Sequence, residues 1–145
     1  MLIFDILNIE YKEPMTIDDL TQIFKSLAHP TRLAILDILR DEEQCVCHLE
    51  AVLGQRQAYI SQHLMVLRES GLVADRRDGS RIYYRVVRPE IFQLLDSSAA
   101  LLKQGDRSSY PARIEHCLCP HCQTNREAPR HDEQISTKKI EVPNV

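Results

Sequence analysis

"AVLGQRQAYISQHLMVLRESGLVADRRDGSRIYYRVV", residues Ala51 to Val87, holds two helical patterns and then one alternating pattern. Val52 and Leu53 complete an apolar pattern begun by Val46 and Leu49, which predicts a short helix from about Cys45 to Leu53 with Gly54 as its left-handed cap. The next pattern starts almost at once. Ile60, Leu64 and Leu67 recur at helical spacing between Arg56 or Gln57 and Glu69, and Ser70-Gly71 end the run. Two helices joined by so short a glycine-bearing turn read as a helix-turn-helix. Leu72, Val73 and Ala74 then lead to an Asp78-Gly79 turn. Beyond it Ile82, Tyr84 and Val86 alternate with Arg81, Tyr83 and Arg85, the pattern of a β-hairpin with an arginine-rich tip.

Upstream, Thr16 opens a helix with Asp18 and Asp19 in its first turn, where carboxylates suit the helix dipole, and Leu20, Ile23, Phe24 and Leu27 follow at helical spacing. His29-Pro30 stops it, and Pro30 begins a second helix whose Leu33, Ile35, Leu36, Ile38 and Leu39 give it a broad buried face. Downstream, Pro89 starts a last helix. Its Ile91, Phe92, Leu94, Leu95, Ala99 and Leu102 offer more apolar surface than the end of a small domain needs, so a partner subunit is expected to cover it. The fold class is therefore mainly α with a small β-hairpin (α+β), a dimeric winged helix-turn-helix.

A chain of 145 residues suffices for one domain with a real core. The expected division is an N-terminal extension over 1–15, the winged helix with its dimer surface over 16–103, a cysteine-containing segment over 104–122, and a polar, disordered tail over 123–145. The opening MLIFDILNIEYKEP carries Asp5 and Glu10 and lacks a basic start and a cleavage site, which argues against a signal peptide. A cytoplasmic protein without membrane partners is expected.

The net charge of −3 hides an asymmetry. Seven arginines against Glu69, Asp75 and Asp78 leave residues 54–88 at +4, whereas residues 16–53 stand at −4. On the second helix of the helix-turn-helix, Gln57, Ala58, Tyr59, Ser61, Gln62 and His63 include the face left once Ile60, Leu64 and Leu67 are buried. These side chains are short or carry hydrogen-bonding groups suited to base edges or phosphates in a major groove. Arg76, Arg77 and Arg81 surround the tight turn, placed to reach phosphates or a minor groove. Double-stranded DNA is the expected partner.

The stretches FKSLAHPTRLAILDIL, QCVCHLEAVLG, AYISQHLMVLRESGLV and RRDGSRIYYRV closely resemble the ArsR/SmtB family of bacterial metal-sensing repressors over about residues 16–103. The resemblance implies a homodimer that binds a pseudo-palindromic operator and releases it when a metal or metalloid binds. Within it, Cys45 and Cys47 match the C-V-C element that ligates soft metals at the start of the third helix. The chain also departs from the pattern. Glu50 stands where arsenic sensors often have a third cysteine, residues 1–44 hold none of the N-terminal cysteines of the cadmium and lead sensors, and no histidine lies between 89 and 103 to join Asp96 in the family's last-helix zinc site.

Five cysteines at close spacings in a chain read as cytosolic argue for reduced thiols. Positions i and i+2 of an α-helix lie about 200° apart, so Cys45 and Cys47 can share an ion only where the helix starts irregularly. The unpaired amides of such a start would favour the thiolate. Cys117, Cys119 and Cys122, beside His116 and His121, supply further ligands, either folding back on Cys45 and Cys47 or closing a site of their own. Three thiolates suit trivalent arsenic or antimony, and a fourth ligand suits zinc, cadmium or lead. The expected inducer is arsenite or antimonite, with cadmium, lead or zinc as alternatives. Should the tail stay apart, His48 or Glu50 would be the third ligand.

Two rivals use the same thiols. A redox or persulfide sensor of the same fold needs two cysteines within disulfide range. A thiol-disulfide oxidoreductase would use Cys119-Pro120-His121-Cys122, but that motif needs a βαβ setting, which residues 115–125 do not suggest. The chain is expected not to be an enzyme.

Overall fold

The computed structural model describes residues 14–102, 117 and 120–123. The expected N-terminal extension, most of the cysteine segment and the final tail lie outside the described residues.

Helix α1, Ile17–Leu27, begins in a reciprocal cap: Thr16 Oγ1 accepts the Asp19 amide, and Asp19 Oδ2 accepts the Thr16 amide. Its C-terminal carbonyls are satisfied from the next element, because the Arg32 guanidinium donates to Lys25 O at 2.9 Å and to Ser26 O. Helix α2, Pro30–Ile38, has the proline at its first position, where no amide partner is needed, and His29 Nδ1 accepts the Thr31 amide as its cap. The turn His29-Pro30-Thr31-Arg32 thus ends one helix and begins another with its own side chains.

Strand β1, Gln44–Cys45, leads directly into α3, Val46–Leu53, and Gly54 closes α3 with φ 61° in the left-handed region. Helix α4, Gln57–Glu69, follows. Ile35, Leu36, Leu49, Ile60, Leu64 and Leu67 from α2, α3 and α4 are fully buried and form the centre of the core. Removing one such side chain from a packed core costs about 2–5 kcal/mol, so this three-helix junction holds the orientation of α4 firmly.

Strands β2, Val73–Asp78, and β3, Arg81–Val86, form the hairpin. Asp78 pairs with Arg81, which makes Gly79 and Ser80 the loop residues, with Gly79 at φ 59°. β1 adds to the other side of β3, giving the antiparallel order β1-β3-β2. This third strand was not expected; two residues are too few to show an alternating pattern. Helix α5, Glu90–Ala100, lies beyond the sheet, and a four-residue turn of helix, α6, spans Pro120–Gln123.

Arg40 ties α2 to α5: its guanidinium donates twice to Asp96, at 3.1 Å each, and stacks 4.3 Å from the Phe92 ring centroid. On α5 only Ile91 is buried, and Leu101 and Leu102 just beyond it are exposed. Ile17, Leu20 and Phe24 of α1 are also exposed, with Phe24 at 49%. Apolar surface therefore remains uncovered on both terminal helices of the winged unit.

Candidate nucleic-acid interface and thiol site

The outer face of α4 presents Gln57, Ala58 and Gln62 to solvent, with Ser61 half-buried between them. Met65, 46% exposed, extends this face by another turn, and Arg56 stands exposed at the N-cap. Neither was singled out from sequence.

Two of the expected α4 residues turn inward. His63, expected on the outer face, is only 9% exposed; its ring packs 4.2 Å from the His29 ring and 4.6 Å from that of Tyr59. Tyr59 is half-buried, its hydroxyl 3.3 Å from Thr31 Oγ1. The cause is the α1–α2 turn, which brings His29 and Arg32 against α4. Arg32 Nη1 lies 3.5 Å from His63 Nδ1. Burial, then the neighbouring charges, depresses the pKa of both histidines, which suits ring nitrogens that accept, His63 from Arg32 and His29 from the Thr31 amide.

The three wing arginines are not equivalent. Arg76 donates to both carboxylate oxygens of Glu43, at 2.6 and 3.3 Å, pairs with Asp78 at 3.4 Å and lies 4.9 Å from the Tyr83 ring centroid. Its hydrogen bond holds the Glu43 carboxyl below the usual range. Arg76, expected to reach a phosphate, is here matched by two carboxylates, which a phosphate would have to displace. Arg77 is exposed and makes no ion pair among the described residues. Arg81 is half-buried beside the turn. Arg68 at the end of α4 pairs with Asp75 of β2 at 3.2 Å, bracing the hairpin against the helix.

The thiols gather beside the middle of β3, where Cys45 pairs with Tyr83. Cys45 is the N-cap of α3, with extended backbone at φ −78° and ψ 156°, so it lies outside the helix. That irregular start removes the angular obstacle between positions 45 and 47. The Cα atoms are 5.4 Å apart, and the structure joins the two sulfurs as a disulfide. Cys45 Sγ also accepts the His48 amide at 3.3 Å, the helix-start donor that favours a thiolate when the pair is reduced.

The tail folds back onto this corner. The sulfurs of Cys45, Cys47 and Cys117 all lie within 4.8 Å of one another. His48, Cys117 and Cys122 form a second group within the same limit, all three buried, with His48 Nδ1 3.2 Å from Cys122 Sγ. Cys119 lies outside the described residues.

Tyr83, which alternates with Ile82, Tyr84 and Val86 alongside Arg81 and Arg85, is buried against Cys45, Cys117 and Cys122. It pairs with Cys45 in one register and Arg76 in the other. Both faces of β3 are therefore covered: Tyr84 and Val86 pack on the main core, and Tyr83 under the tail. The period-2 pattern carried no sign of this, since the cover comes from residues far along the chain.

Comparison with known proteins agrees with this architecture. Residues 29–75 match the family described as "Bacterial regulatory protein, arsR family". The chain is 50% identical over 66 residues to the arsenical resistance operon repressor of Escherichia coli, covering 45% of this chain and 56% of that one. It thus spans little more than half the length of that relative. Identity to the transcriptional repressor SmtB homolog of Synechocystis is 33% over 97 residues, covering 65% of this chain and 74% of that protein. A solution structure of a homodimeric winged helix-turn-helix DNA-binding domain from Mycobacterium bovis superposes with a TM-score of 0.54 at 31% identity, covering 63% of this chain and 89% of that one. With this family match and the 33% identity to the Synechocystis SmtB homolog over 74% of its length, the chain belongs to the arsR family of bacterial regulatory proteins.

Proposed function

We propose that the protein is a cytoplasmic homodimeric transcriptional repressor. It binds operator DNA through the outer face of α4 and the wing, and releases it when a soft metalloid is held by Cys45, Cys47 and Cys117. The observation that carries the reading is the meeting of three sulfurs, from the start of α3 and a distant tail, within 4.8 Å. Three thiolates and no oxygen ligand suit arsenite or antimonite. The name of the Escherichia coli relative points the same way.

The exposed apolar residues of α1 and of the end of α5 supply the dimer surface, and one winged helix reads only a half-site. Cys45 and Cys47 must be thiolates to serve as ligands. The disulfide is therefore first reduced, taking two electrons from a thiol reductant that leaves as its own disulfide. The thiol corner then has two routes to DNA. One runs through α3, which packs on α4; the other runs through Tyr83 to Arg76 and the wing. Drawing Cys117 toward the helix start shifts the two DNA-contacting elements relative to each other.

The Cys45–Cys47 disulfide favours one second reading, in which the same pair senses oxidant or persulfide. Operator binding by reduced full-length protein, titrated with arsenite, antimonite, cadmium, lead, zinc and a persulfide donor, separates the two. Arsenite or antimonite is expected to release DNA from the wild type and to fail with Cys45→Ser, with Cys117→Ser, and with a chain ended after Gly105, each of which still binds operator. Normal release from the truncated chain sinks the role of the tail. Release by the persulfide donor alone sinks the metalloid reading.

A further inference from the structure

We propose that His48, Cys117 and Cys122 form a second site, for a divalent ion of the zinc type, which shares Cys117 with the trithiolate set so that only one of the two can be filled. The exclusivity rests on the metalloid reading above; the existence of the second site does not.

The three ligand atoms lie within 4.8 Å of one another, and all three residues are buried. Zinc bonds of about 2.3 Å to sulfur and 2.0–2.1 Å to nitrogen place tetrahedral ligands roughly 3.6–3.8 Å apart. The 3.2 Å between His48 Nδ1 and Cys122 Sγ is already close to such an edge. A mixed imidazole and thiolate set suits zinc, whereas the set with Cys45 and Cys47 is sulfur alone. The elements explain why both sets exist. His48 follows Cys45 by about one helical turn at the start of α3, and Cys117 from the tail belongs to both groups.

The consequence is regulatory. With zinc on His48, Cys117 and Cys122, the tail is held at α3 while the trithiolate set lacks its third sulfur. Zinc therefore fastens the tail and opposes the metalloid.

The test uses the full chain, reduced with a phosphine, and cobalt(II) as the optical probe for zinc. Wild type is expected to bind one cobalt per chain with thiolate charge-transfer absorption, and zinc to displace it. Cys122→Ser and His48→Gln should each weaken zinc at least tenfold against a chromophoric chelator, while Cys45→Ser keeps it. Cys122→Ser matters most, because it alters the tail and leaves the winged core intact. By simple competition, free zinc at ten times its Kd should raise the apparent arsenite Kd of wild type about elevenfold. Cys122→Ser should bind arsenite normally and show no such shift.

Wild-type zinc affinity in both Cys122→Ser and His48→Gln would overturn the site. An arsenite Kd indifferent to zinc in the wild type would overturn the sharing. Should arsenite not bind the wild type at all, the metalloid reading and the sharing both fall, and the cobalt and zinc titrations still decide the site.

Discussion

Arg76 and Arg77 are neighbours on one strand, carry the same charge and would be given the same role by any reading of composition. The structure separates them. Arg76 is engaged by Glu43, Asp78 and the Tyr83 ring, whereas Arg77 is exposed with no ion pair among the described residues. For a phosphate to take Arg76, two carboxylates must first be left behind, and one of them then faces the DNA uncompensated. Arg77 gives up only water. Each neutralised phosphate steepens the dependence of log K on log salt by about 0.9. A dimer has two wings, so Arg77→Ala should flatten the slope by about 1.8. Between 50 and 200 mM salt, a fourfold change, this is about a twelvefold smaller loss of affinity than in wild type. Arg76→Ala should flatten the slope by less than half as much. Fluorescence anisotropy with labelled operator at several salt concentrations measures both slopes. Equal changes for the two variants, or a larger one for Arg76→Ala, would refute the argument from pairing.

Two further outcomes follow from the helices. Phe24→Asp and Leu102→Asp place a charge on exposed apolar surface, so secondary structure should be unchanged while sedimentation shows monomers and operator affinity falls on the order of 10²-fold; tight operator binding by a demonstrated monomer would contradict the dimer. The depressed pKa values of His29 and His63 have a pH consequence. Below the ordinary histidine value of 6.5 the unfolded chain binds protons that the folded chain refuses. Stability is therefore full above about that pH and declines as pH falls toward the depressed values. Thermal melts between pH 8 and 5.5 should show a smaller decline in His63→Gln than in wild type, and an identical decline would remove His63 from the cause.

Local chemistry made most of the winged helix legible from the chain alone. Thr16 with Asp19, Pro30, Gly54, Ser70-Gly71 and Gly79 each set a boundary through contacts or backbone angles within a few residues, and the change from helical to alternating spacing at Leu72 marked the wing. The outer face of α4 was readable for the same reason, up to the point where another element intervened. His63 and Tyr59 have the spacing of surface residues, and only the packing of the His29–Arg32 turn against α4 draws them inward. Arg76 looks like a free cation until β1 places Glu43 beside it.

The thiol corner depended most on tertiary structure. The cysteine spacings led only to an expectation of soft-metal chemistry, and which side chains meet could not be read from a pattern, because His48 and Cys122 stand 74 residues apart. Periodicity reports how a segment faces its immediate surroundings. It carries nothing about which distant segment will cover a strand, and the strand covered here is β3, whose Tyr83 lies beneath Cys117 and Cys122 only because the tail returns to it.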